Sequence, residues 1–259
     1  MFADAEAYER FMGRWSTQVA PKLVDFTSLP GPGRLLDVGS GTGALAFSLA
    51  ERQPQSVVQG IDPSSEYVEY AGRKNPFPDR VRFGVGDAQH LQFADASFDA
   101  SLSLLVFNFI PDRRKAISEV RRVTKPGGVV AAAVWDYGAG MRMLRVFWDA
   151  AVTMDRTAEK SDELHMPLCR SGELESLWKD GGLENVTGQP LEIQMQFASF
   201  ADYWDPFLLG QGPAGAYVSR IDVSRREALR AEVKRRLRLE LENAPFSLPA
   251  RVWAVRGFR

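Results

Sequence analysis

Between residues 35 and 135 the chain alternates short apolar runs with stretches whose apolar positions recur at helical spacing. LLDVG is followed by TGALAFSLAERQ, in which Leu45 and Leu49 lie four apart and share a helix face. VVQGID is followed by SEYVEYAGRK, with Tyr67, Tyr70 and Ala71 at the same periodicity, and VRFGVGD and FDASLSLLVF read as two further strands. PDRRKAISEVRRV, with Ile117 and Val120 three apart, leads through the turn KPGG into the strand VVAAAVW. Strands separated by helices of this length pair in parallel with the helices as crossovers. The pattern predicts a doubly wound α/β sheet whose ligands lie beyond the carboxyl ends of its strands.

After Trp135 the rhythm changes. Residues 139–170 predict helix rich in large apolar side chains, among them Met141, Met143, Phe147, Trp148 and Met154. SGELESLWKDGG predicts a helix N-capped by Ser171 and ended by glycines, LENVTGQPLEIQMQF a strand, residues 199–244 more helix, and FSLPARVWAVRGF a closing strand. Between Asp222 and Glu242, seven basic and five acidic residues surround Leu229, Val233, Leu237 and Leu241, whose four-residue spacing predicts a buried stripe under a solvated, charged face. The two helical stretches interrupt the sheet-forming chain, so they are expected to fold over its ligand edge as a cap.

Composition narrows the class without choosing a function. At 259 residues, with 45% hydrophobic and 25% charged, the chain suits one large globular domain with embellishments. A net charge of −1 supplies no global attraction for nucleic acid or an acidic membrane. The single cysteine, Cys169, permits neither an intrachain disulfide nor a cysteine-based zinc cluster, and no metal is expected. No apolar run approaches the roughly 20 residues of a membrane span, and the acidic start MFADAEAYERF is unlike a basic secretory leader. A cytoplasmic protein is the expectation.

The chemistry concentrates in LLDVGSGTGA, residues 35–44, where Gly39, Gly41 and Gly43 follow an apolar run at every second position. Glycines without Cβ let a backbone approach a ligand closely, beside amides at the start of the next helix. Gly39, Gly41 and Ala44 fit the loose dinucleotide pattern G-x-G-x-x-G/A, with Asp62 about 20 residues on as a ribose-binding acid, so a nicotinamide-dependent oxidoreductase is one reading. Asp37 opposes it: a carboxylate on the strand two residues before the first glycine disfavours a pyrophosphate and suits a ligand carrying an ammonium and a sulfonium.

Residues 37–43, DVGSGTG, together with the elements that follow, resemble the class I S-adenosylmethionine-dependent methyltransferases, whose first motif is D/E-x-G-x-G-x-G. Within that superfamily the run GDAQHLQFADASFDAS and the segment YERFMGRWS are most similar to the small-molecule enzymes related to ubiquinone and menaquinone biosynthesis. The resemblance implies a seven-stranded, mostly parallel sheet with a last antiparallel strand near Val252. It further implies that Asp37, Gly39, Ser40, Gly41 and Gly43 approach the cofactor, that Asp62 beside Pro63 takes the ribose hydroxyls, that Asp87 and Ala88 bind adenine, and that the end of the fourth strand, Leu104 to Phe107, passes the methionine part. Asp99 matches the aspartate that begins the fourth strand, and His90 would lie beside the base.

On this reading residues 1–30 form a helical segment closing over the cofactor, 31–137 the cofactor-binding core, 138–170 the first cap insert, 171–198 a helix and strand returning to the sheet, 199–244 the second insert and 245–259 the final strand. AYERFMGRW brings Tyr8, Phe11, Met12 and Trp15 near one helix face, with Tyr8 or Arg14 expected near the methionine carboxylate. Of the two histidines, His165 is the candidate general base facing the substrate. Asn108, in NFIP after the fourth strand, is a second candidate, although NFIP lacks the first proline and the terminal aromatic of the motif used for methylating nucleobase or glutamine amino groups. Trp148, Tyr203, Trp204, Phe207 and Tyr217 are expected to supply some of the pocket for a flat or apolar substrate. The implied function is metal-independent methyl transfer to a small molecule, with S-adenosylhomocysteine as product and no nucleic-acid partner. A regulatory protein that holds the cofactor without turning it over is the reading from another class.

Overall fold

The computed structural model describes residues 4–29 and 31–259, so the first three residues of the amino-terminal segment and Pro30 lie outside the described residues. The chain opens with α1 (Ala5–Tyr8), a π-helical turn (Glu9–Gly13) and α2 (Arg14–Thr27). The core then runs β1 (Arg34–Val38), α3 (Ala44–Arg52), β2 (Val57–Asp62), α4 (Ser65–Lys74), β3 (Val81–Val85), β4 (Phe98–Leu104), α5 (Arg113–Val123) and β5 (Thr124–Trp135). It continues through α6 (Arg142–Met154), two 3-10 turns, α7 (Glu173–Asp180), β6 (Glu184–Phe197), α8 (Phe200–Trp204), a 3-10 turn, α9 (Gly212–Arg220), α10 (Val223–Leu237) and β7 (Phe246–Phe258).

The seven strands form one sheet in the order β3-β2-β1-β4-β5-β7-β6, parallel from β3 to β5, with β7 antiparallel to both β5 and β6. Trp135 pairs with Val252, so the expected closing strand is antiparallel at the expected place. From Val129 to Trp135 every residue of β5 is buried, as a strand covered on both faces requires. The order reverses between β1 and β4. This switch point is where the crossover connections diverge and leave a crevice.

Local chemistry accounts for most boundaries. Ser64, Asp112 and Asp222 N-cap α4, α5 and α10 by accepting from the amides of Tyr67, Lys115 and Arg225. The expected cap at Ser171 falls one residue early: Gly172, at φ +83°, is the N-cap of α7 and makes no side-chain cap bond. Helix α10 stops at Leu237 because Arg238 turns left-handed, so Leu229 and Val233 are buried but Leu241 is 69% exposed, and the expected stripe is only half as long.

The helices after β5 pack on one another through aromatic rings. Phe147 stacks on Phe207 at 4.6 Å, and Trp148, Tyr203 and Trp204 are fully enclosed in the same cluster.

Candidate active site

Beyond the carboxyl ends of β1, β2, β4 and β5 lies a cavity of about 260 Å³. Its floor is the loop between β1 and α3, from Gly39 to Thr42, and its sides are Asp62 and Tyr67 on one flank and Leu104, Leu105 and Val106 on the other. Phe109, Trp135 and Tyr137 form the far wall, and Tyr8, Met12 and Ser16 of the amino-terminal helices the roof.

The glycine loop owes its shape to internal hydrogen bonds. The amides of Gly39 and Ser40 both donate to the Ile61 carbonyl at 2.8 Å, Gly43 donates to the Ser40 carbonyl at 2.8 Å, and Gly41 donates to Asp62 Oδ2 at 2.9 Å. Gly39 is required on two counts, since its φ is +75° and a Cβ would stand 2.5 Å from the Val106 side chain. With four amides spent inside the loop, little donor capacity is left to cradle a pyrophosphate.

Asp62 ends β2 with both carboxylate oxygens fixed, Oδ2 by Gly41 and Oδ1 by the Ser64 amide at 2.9 Å. It is 8% exposed, and burial raises its pKa against the pull of those two amides. Each oxygen keeps a further lone pair toward the cavity.

Asp37 lies beneath the loop, wholly buried, and no hydrogen bond reaches either of its oxygens. Burial pushes its pKa up to about 8, the Ala46 amide at the start of α3 opposes this without meeting hydrogen-bond geometry, and the charge of Asp62 adds to the rise. The hydroxyls of Ser40 and Tyr67, two further cavity residues, are also buried without a partner.

Of the residues singled out from the sequence, Tyr8, Gly39, Ser40, Gly41, Asp62, Pro63 and Leu104 line this cavity. Gly43 does not: at φ +97° it N-caps α3, and a Cβ there would meet the Phe47 ring at 2.6 Å. Asp87 is exposed and stands on a separate recess of about 30 Å³ together with His90. Its carboxylate is turned back on the chain, accepting from the Gln89 amide at 2.8 Å and the Gln89 side chain at 3.1 Å. Ala88 is half-buried and packs against the core, and Lys115 Nζ lies 2.6 Å from His90 Nε2.

Other expectations need correction. Arg14 is not in the cavity, because its guanidinium pairs with Asp202 at 2.7 Å and lies 4.3 Å above the Trp15 ring. His165 is exposed on the turn Glu163–His165 and lines no part of the cavity. Asn108 is 2% exposed, with Nδ2 directed at Met166 Sδ and Oδ1 unpartnered, and it too stands outside the wall. None of the five cap aromatics lines the cavity; their rings serve the packing of the cap.

Tyr67, Phe109, Trp135 and Tyr137 line the cavity without having been singled out from the sequence, whereas Leu105 and Val106 fall in the stretch Leu104 to Phe107 expected beside the methionine part. Trp135 and Tyr137 end and follow β5, so the rule that ligands lie at strand carboxyl ends could have found them. Leu105, at φ +63° directly after β4, carries a backbone strain that no sequence pattern announces.

A switch-point crevice floored by a glycine loop, with one acid at the end of β2 and another beneath the loop, is the arrangement of an α/β protein of the methyltransferase type. A family model described as "Methyltransferase domain" matches residues 36–132. The malonyl-[acyl-carrier protein] O-methyltransferase of Geobacter sulfurreducens is 32% identical over 179 residues, which cover 66% of this chain and 66% of that one. The ubiquinone/menaquinone biosynthesis C-methyltransferase of Geotalea daltonii is 39% identical over 102 residues, 38% of this chain and 43% of the other. Among solved structures, a Haemonchus contortus phosphoethanolamine N-methyltransferase 2 in complex with phosphomonomethylethanolamine and S-adenosylhomocysteine shares the fold, with a TM-score of 0.60, 18% identity and coverage of 98% of this chain and 56% of that one.

The chain belongs to the class I S-adenosylmethionine-dependent methyltransferases. Its matched part spans about two thirds of the first of these curated relatives and less than half of the second. The comparisons give the oxidoreductase reading no support.

Proposed function

We propose that this chain binds S-adenosylmethionine across the β1/β4 switch point and transfers its methyl group to a small organic acceptor without a metal. One observation carries the reading: two buried acids, Asp62 bound to the glycine loop and Asp37 beneath it, accompany a loop whose Gly39, Ser40, Gly41 and Gly43 amides are already engaged, which suits a cationic nucleoside and not a diphosphate.

The residues present fit that cofactor. Asp62 would accept both ribose hydroxyls on the lone pairs its amides leave open. Asp37, unpartnered in the fold, would gain a favourable charge interaction from an ammonium or sulfonium overhead. Leu104 and Leu105 would pass the methionine part, and Asp87 would meet adenine once its carboxylate leaves Gln89. When bound, S-adenosylmethionine supplies a methyl group activated by a positively charged sulfur.

The chain's part is positioning and dryness. The roof of Tyr8, Met12 and Ser16 and the wall of Leu104, Leu105 and Phe109 exclude water, and a nucleophile held in line gains most of its acceleration from that placement. Among the described residues lining the cavity, Asp62 is the only one with a full charge, so the acceptor side favours an uncharged, flat or apolar molecule. The names of the relatives, an O-methyltransferase and a C-methyltransferase, support an oxygen or carbon acceptor.

Calorimetric titration with S-adenosylmethionine, S-adenosylhomocysteine and NAD tests the reading. Saturable binding of the first two and none of the third is the expected result. Asp62→Ala is expected to weaken cofactor binding by about 1.5–3 kcal/mol, and unchanged affinity would mean that the ribose is misassigned.

A further inference from the structure

S-adenosylmethionine carries a carboxylate as well as its two cations, and an anion drawn from water into a buried site is costly unless a cation or several donors replace its hydration. The cavity is poorly made for it. Among the described residues that line the cavity none is a lysine, arginine or histidine, and Asp62 supplies a negative charge. The two arginines of the amino-terminal helices stand elsewhere: Arg10 and Arg14 line a separate recess with Asp202 and Asp205. Arg14 is held there by Asp202 Oδ1 at 2.7 Å, by the Asp202 carbonyl at 3.2 Å and over the Trp15 ring at 4.3 Å.

The roof adds lone pairs in place of protons. Ser16 Oγ donates to the Met12 carbonyl at 3.2 Å, which leaves Tyr8 Oη as the donor in its 3.3 Å contact with Ser16 Oγ. Both hydroxyl protons are thereby engaged, and oxygens in that state accept from an ammonium but give nothing to a carboxylate. The hydroxyls of Ser40 and Tyr67 keep their protons, yet both are buried and neutral. Tyr67 also stands among acids, its pKa raised by burial first and then by Tyr8, Asp62, Glu66 and Asp4.

We propose that this site selects its nucleoside by the sulfonium and the ammonium and not by the amino-acid carboxylate. It binds decarboxylated S-adenosylmethionine, the same sulfonium with a propylammonium tail, more tightly than the cofactor itself. The proposal rests on the methyltransferase reading and widens its ligands to a class, S-adenosyl sulfoniums and thioethers whose tail ends in an amine alone. Loss of the carboxylate turns a singly positive ligand into a doubly positive one. It removes the desolvation of an anion and its repulsion by Asp62, and it keeps the attraction of the two buried acids, Asp37 and Asp62, for the remaining cations.

Calorimetric titration of the full chain with S-adenosylmethionine, S-adenosylhomocysteine and the decarboxylated form of each tests this. Within each pair the decarboxylated compound is expected to bind about fivefold more tightly, since at an effective dielectric of about 20 the repulsion between a carboxylate and Asp62 reaches that size across the length of the ligand. In Asp62→Asn every compound is expected to bind more weakly, because the same residue is assigned to the ribose, and the ratio within each pair is expected to narrow. The comparison in the parent protein stands whether or not that variant folds. Decarboxylated compounds that bind no more tightly than their parents, or a ratio unchanged in a folded Asp62→Asn, would overturn the proposal. Binding of none of the four would instead overturn the cofactor reading.

Discussion

A carboxylate buried without a hydrogen bond raises the free energy of the fold until a cation arrives, and Asp37 is in that position. Its pKa stands at about 8 in the folded chain against 3.8 as the ordinary value. The unfolded state loses its proton first, so this residue's contribution to stability falls as pH rises from about 4 to about 8 and is level above. Asp37→Asn is expected to stabilise the unliganded protein above pH 8 by on the order of 1–3 kcal/mol, once its unsatisfied amide is counted, and to leave it no more stable near pH 4. Thermal unfolding at the two pH values checks this. The same variant is expected to lose more affinity for S-adenosylmethionine than for S-adenosylhomocysteine, because only the former carries a sulfonium, and equal losses would remove Asp37 from the recognition of charge. The acids on the strand ends were legible because a short motif sets them in a fixed register with the glycines. Tyr67 was not, because nothing in SEYVEYAGRK distinguishes the buried tyrosine that lines the cavity from Tyr70 until the chain is folded.

At the scale of elements, periodicity gave the alternation of strands and helices, since each crossover helix must bury one face against a sheet buried on both. It missed what depends on single backbone angles. The π-helical turn Glu9–Gly13 rotates the amino-terminal helix so that Tyr8, Met12 and Ser16 roof the cavity while Phe11 meets Phe207 at 5.1 Å and Trp15 meets Phe197 at 5.2 Å. The early stop of α10 at Arg238 escaped for the same reason. Glycines divide accordingly. Gly39→Ala is expected to destabilise by about 2–4 kcal/mol through a positive φ and a collision with Val106, whereas Gly72→Ala, inside α4 with nothing within 4 Å, is expected to stabilise by about 0.5–1 kcal/mol. Denaturant unfolding of the two variants distinguishes a glycine that shapes the site from one that merely loosens a helix.

Across the whole molecule the cap is a packed helical layer whose aromatic cluster seals itself, and the cavity belongs to the core and the amino-terminal helices. The two layers meet partly through the Arg14–Asp202 pair, whose side chains are about 30% exposed. Arg14→Ala is therefore expected to cost about 0.2–1 kcal/mol of stability and to leave cofactor affinity within about twofold, since the guanidinium is already engaged; a tenfold loss would return Arg14 to the methionine carboxylate. Sequence alone led to helical inserts as pocket walls because large aromatic residues in an insert look alike whether they face a ligand or one another. Among the described residues no helix is long and apolar enough to cross a membrane.

The central claim is that acids at the ends of β1 and β2 recognise a cationic nucleoside. Calorimetry of S-adenosylmethionine binding in buffers of different ionisation enthalpy, below pH 8, reads it most directly. One saturable site is expected, with release of a proton that disappears in Asp37→Asn; binding of NAD in place of S-adenosylmethionine, or proton release unchanged in that variant, would show that these acids do not recognise a cationic nucleoside.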